Sequence, residues 1–99
     1  MTAWAFTDPP NVAVFTCKSI AFDDEWIAHV VHDAEDGAWQ FHPAVGEISA
    51  GEAAVVALGT MVKLDPSIAE LADLPLGWRA SRPTRTSAWE RHPPPTPSP

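Results

Sequence analysis

Thr60-Met-Val-Lys-Leu-Asp65-Pro66-Ser-Ile68-Ala-Glu-Leu71-Ala72-Asp-Leu74-Pro75-Leu76-Gly77-Trp78 carries more folding information than any other stretch of this chain. Asp65 ahead of Pro66 reads as a helix start: a side-chain acceptor for the cap, then a residue with preset φ and no amide hydrogen to leave unpaired. Ile68, Leu71 and Ala72 fall on one helical face, and Leu74-Pro75-Leu76-Gly77 stops the helix and turns the chain. Trp78 then supplies an apolar anchor. This is punctuation for a small packed fold, and it contains no catalytic motif.

Working upstream, Asn11 to Ile20 is β-branched and aromatic after Pro9-Pro10, which predicts a first strand. Asp23-Asp24 marks a turn, and Glu25 to His32 predicts a second strand buried on both faces. Asp36-Gly37 suits a hairpin into Ala38-Trp39-Gln40-Phe41-His42. There Trp39 and Phe41 share one face and Gln40 and His42 the other. After a loop over 43–51, the valine-centred run Ala53 to Leu58 favours a buried strand followed by a helical turn from Thr60. The capping-box pattern Ser49-Ala-Gly-Glu52 offers the competing reading, a helix over 52–63. Downstream, Trp78 to Arg82 reads as a strand with Trp78 and Ala80 inward, and Ser87 to Arg91 closes the fold on Trp89. The expected architecture is α+β: a mostly antiparallel sheet of four or five strands with one or two short helices. Residues 1–11 form an extension, 12–91 the single domain, and 92–99 a disordered proline-rich tail. Trp39, Phe41, Ile68, Leu71 and Trp78 are expected to share one core.

The chain has 99 residues, room for one domain near the size at which a single core becomes marginal. Five tryptophans and four phenylalanines help, because large aromatics bury much area per residue. Cys17 is the lone cysteine, which excludes an internal disulfide, and its apolar surroundings make it an inert buried thiol. No basic region or long apolar run marks a signal peptide or a membrane span, so the expected location is cytoplasmic.

Net charge is −7 and unevenly placed: residues 1–50 hold eight acids against Lys18, while residues 51–99 hold five acids and five bases. Asp23-Asp24-Glu25 and Asp33-Ala-Glu35-Asp36 repel phosphate backbones, which argues against nucleic acid as a partner. They read either as solvated loops that keep a small protein soluble or, more sharply, as a docking surface for a basic protein, formed by Asp23, Asp24, Glu25, Glu35 and Asp36. On either end of one strand they make two lobes roughly 26 Å apart.

His29 and His32 invite a metal reading, but on a strand they face opposite ways, and no metal or other cofactor is expected. No serine sits in a nucleophile elbow, no base is placed beside Cys17, and the five glycines form no phosphate loop, so catalysis has no positive support. Arg79, Arg82, Arg85 and Arg91 read as solvent-facing charges offsetting the acidic half. Arg91 ahead of Pro94 and Pro97 matches a polyproline recognition spacing only loosely, and the tail reads as a solvated end.

Several of these pieces fall in one order: Thr16 to Ile20, then Gly37-Ala-Trp39-Gln-Phe41, a loop with Gly46-Glu47, Leu58-Gly-Thr60, and Asp65-Pro66-Ser-Ile68 with Leu71, Pro75 and Gly77, followed by Arg82. Over residues 12–91 this order resembles the domain of unknown function 2185, also known as the immunity protein 33 family of small bacterial domains. The family's aromatic near the last strand is replaced here by Ala80 or Ser81. The resemblance implies an antitoxin-like protein that binds a cognate toxin and blocks it without catalysis; charge and hydropathy separately leave no nucleic acid or membrane partner expected. The rival reading is a regulatory domain binding a small molecule in a pocket of Trp39, His42 and Arg79. Oligomeric state is open in both.

Overall fold

The computed structural model describes residues 4–44 and 50–94. Gly46-Glu47, Ser49 of the capping-box pattern and the tail from Pro95 lie outside the described residues. The fold is α+β, with six strands: β1 (Ala13–Cys17), β2 (His29–His32), β3 (Trp39–His42), β4 (Ala53–Ala57), β5 (Arg79–Ser81) and β6 (Glu90–His92). They form one mixed sheet in the order β4-β1-β3-β2-β5-β6, in which β1 and β3 run parallel and every other pair antiparallel. The sheet exceeds the expected strand count because the closing segment does more than anchor Trp89: it pairs with β5 through His92. Beyond the strand, Pro94 lies close to Gly77, whose φ of +85° suits glycine and would strain any larger residue.

One face of the sheet carries the core. Val14, Val30, Phe41 and Ala80 point to it, and two short helices, α1 (Lys18–Phe22) and α2 (Leu58–Leu64), bring Ile20, Leu58 and Met61 against them. A 3₁₀ segment, Pro66–Leu71, adds Ile68 and Leu71. Trp39, Phe41, Ile68 and Leu71 are buried together and Trp78 packs on them half-buried, as the apolar pattern requires. Residues 4–11 also belong to the fold: Phe6 is buried edge-on to Trp39, at 5.2 Å between ring centroids, and the Trp39 indole N–H donates to Asp8 at 3.0 Å.

Four local expectations change. The first strand ends at Cys17, because Lys18–Phe22 coils to bury Ile20, and the Asp23 and Glu25 amides both bond the Ser19 carbonyl at 3.0 Å. The second begins only at His29, since Asp24 turns with φ of +61° and the Ile27 carbonyl accepts from the Arg82 side chain. The run from Ala53 is a strand, as the valines predict, but at an edge and half-exposed rather than buried. The helix from Pro66 starts as read, with the Asp65 side chain accepting from the Ser67 amide at 3.1 Å, yet it stays 3₁₀. At six residues it is longer than most 3₁₀ runs.

Candidate functional site

The end of the sheet where β2 begins holds a cleft of about 300 Å³, lined by Ile20, Asp24, Glu25, Trp26, Ile27, Leu64, Asp65 and Arg85. Its shape follows from the left-handed turn at Asp24, a conformation that aspartate tolerates better than most residues. That turn puts the Asp24 carboxylate on the rim, 3.1 Å from the Arg85 guanidinium, which also bonds the Asp24 carbonyl at 2.9 Å. Among the described residues no cation lies within ion-pair distance of Asp23 or Glu25. Trp26 adds an indole to the wall. Carboxylates beside an aromatic face are the groups that receive an ammonium or guanidinium.

Behind that wall lies a buried arginine. Arg82 is only 5% exposed, which corrects its reading as a solvent-facing charge. It donates to the Ile27 carbonyl at 2.9 Å and to the Ser67 hydroxyl at 3.0 Å, and pairs with the Asp65 carboxylate. Its guanidinium stacks 4.1 Å from the Trp89 ring and 6.0 Å from that of Trp26. Each of the three guanidinium nitrogens has an acceptor, which is how a buried charge becomes tolerable. The helix cap at Asp65 and the closing tryptophan thus meet in one cluster that fixes the cleft's inner wall.

Glu35 and Asp36 sit at the β2–β3 hairpin, at the opposite end of β2 from Asp23, Asp24 and Glu25, so the five acids do not form one patch. Two carboxylates at that hairpin serve the turn itself. Asp33 accepts from the Glu35 amide and Asp36 from the Ala38 amide, both at 2.9 Å.

Trp39, His42 and Arg79 do not share a pocket. Trp39 faces the core, stacked on His32 at 3.8 Å between ring centroids, and the Leu74 carbonyl accepts from His32 Nδ1 at 2.7 Å. His42 and Arg79 lie on the other, open face, in separate hollows: Phe15, Thr16, Gln40, His42 and Ala53 line one, and His29, Arg79, Ser81, His92 and Pro93 the other. Burial and the charge of His29 lower the His42 pKa. Cys17 is buried beside the Ser19 hydroxyl, at 3.2 Å. Among the described residues no cluster of three or more ligating side chains is placed to hold a metal ion, and no helix is long and apolar enough to cross a membrane.

Sequence reading missed two sets of residues. Alternation from Trp78 and Ala80 already points Arg82 inward, so its burial was legible. The meeting of His29, Ser81 and His92 was not, because it depends on the pairing of β2, β5 and β6. Comparison with models of known protein families, with curated proteins and with solved structures finds no match for this chain.

Proposed function

We propose that this chain is a non-catalytic protein-binding domain of the immunity or antitoxin kind, which blocks a basic partner by receiving one of its cationic side chains in the cleft at Asp24, Glu25 and Trp26. The observation that carries the reading is the cleft of about 300 Å³ itself: Glu25, in no ion pair among the described residues, beside the Trp26 indole, with Asp24 on the rim held by Arg85, on a wall stiffened by the Arg82 cluster. The kind of partner, a toxin, comes from the resemblance to the immunity protein 33 family. The chain's −7 charge favours fast encounter with a basic protein. Within this reading Asp23, Asp24 and Glu25 form the docking surface, and Glu35 and Asp36 act only through long-range steering.

The test is capture of partners from the source cell's lysate at low and moderate salt by the native chain and by two variants. Loss of a basic partner with Asp23→Lys/Glu25→Lys, but not with Glu35→Lys, is the expected result. A partner retained equally by all three forms, or none captured by the native chain, would overturn the assignment of the cleft.

A further inference from the structure

The face of the sheet opposite the core carries a second chemistry. Pairing across β3, β2, β5 and β6 sets His42, His29, Ser81 and Glu90 in one row and Gln40, Val31, Arg79 and His92 in the next. Side chains opposite each other in such rows have Cβ atoms about 5 Å apart. A hollow of about 480 Å³ opens among His29, Arg79, Ser81, His92 and Pro93. The Ser81 hydroxyl and His92 Nε2 share a hydrogen bond of 2.8 Å, which holds that imidazole at the hollow's side.

Arg79 is the distinctive member. Arg82, Arg85 and Arg91 are tied to Asp65, Asp24 and Asp73, whereas among the described residues no carboxylate lies within ion-pair distance of Arg79. A guanidinium fork, imidazoles and a hydroxyl converging on one hollow are the donor set of an oxyanion site. We propose that this hollow binds a small molecule through its phosphate or carboxylate head, with Arg79 as the principal contact and His92, Ser81 and His29 around it. Glu90, next to Ser81 in its row, opposes the anion and limits affinity. This site is independent of the acidic cleft.

Its test is a titration of the full chain, followed by amide and imidazole NMR shifts, with sulfate and with acetate at constant ionic strength. The ionisable groups lining the hollow are Arg79, His29 and His92, with Glu90 beside Ser81 in its row and His42 in the neighbouring hollow. The expected result is saturable shifts at His29, Arg79, Ser81 and His92. Arg79→Gln should weaken them by about tenfold, and Glu90→Gln should strengthen them. Preference for sulfate marks a phosphate-type ligand, and preference for acetate a carboxylate. Both variants lie on exposed positions, so thermal melts should match the native chain. Shifts that never saturate, or that Arg79→Gln leaves unchanged in a folded protein, would overturn the proposal.

Discussion

Arg82 shows how one side chain can set a local structure and its cost. Its side chain is 2% exposed, and that of its partner Asp65 is 21% exposed. Arg82→Met therefore strands a partly buried carboxylate, although Ser67 still donates to it through its amide and its hydroxyl. The expected loss is about 3 kcal/mol, the lower end for breaking such a pair. Arg82→Lys keeps the charge but cannot bond Ile27, Ser67 and Asp65 at once, so its urea midpoint should fall between those of the native chain and Arg82→Met. Equal stability of Arg82→Lys and the native chain would show that the fork geometry is immaterial. His42 gives the pH dependence at this scale. Its pKa is depressed from 6.5, first by burial and then by His29, so the folded state favours the neutral ring. The stability this contributes is whole above pH 6.5 and is lost as pH falls through the lowered value. Denaturation midpoints should drop on acidification from neutrality, and His42→Gln should flatten that part of the curve.

At the scale of elements, the segment Pro66–Leu71 is the most exposed to a single test. Leu71 is buried at 1% exposure, so Leu71→Ala should cost about 2–5 kcal/mol in chemical denaturation. A near-neutral result would contradict its place in the core. This segment was legible because its signals are local: a cap at Asp65, a proline at N1, apolar spacing and a stop. The β2–β3 hairpin was legible for the same reason, through Asp36-Gly37 and the alternation of Trp39 to His42. What escaped were choices made by distant partners. Ile20 and Phe22 favour a strand, yet burying Ile20 under the sheet coils Lys18–Phe22. Phe6 and Asp8 precede two prolines and look dispensable, yet they cover Trp39. The pocket of Trp39, His42 and Arg79 conflicts with the alternation along β3 itself, which sends Trp39 and His42 to opposite faces.

Across the whole molecule, charge and architecture are arranged separately. The sheet keeps its apolar face for the core, has clusters of acids at both ends of β2, and leaves His29, His42, His92 and Arg79 on the open face. Of the twelve acids among the described residues, three, Asp24, Asp65 and Asp73, are in ion pairs. Self-repulsion of a chain at −7 should therefore outweigh the attraction of its exposed pairs. Thermal midpoints are expected to rise modestly as salt is raised from about 0.02 to 0.2 M, where the Debye length shortens from roughly 20 Å to below about 10 Å. A fall would mean that the pairs at Arg85 and Arg91 dominate.

The two borders of the sheet are chemically unlike. β6 ends it with Glu90, Arg91 and His92 and then Pro93-Pro94, groups that discourage a further strand. β4 ends it with Ala53-Ala-Val-Val-Ala57, uncharged, with Val55 61% exposed and Phe15 beside it 48% exposed. Among the described residues, growth of the sheet is thus open on one side only. Two copies joined β4 to β4 would turn both guarded borders outward and finish there, so self-association along this route stops at a pair and cannot run on into a fibre.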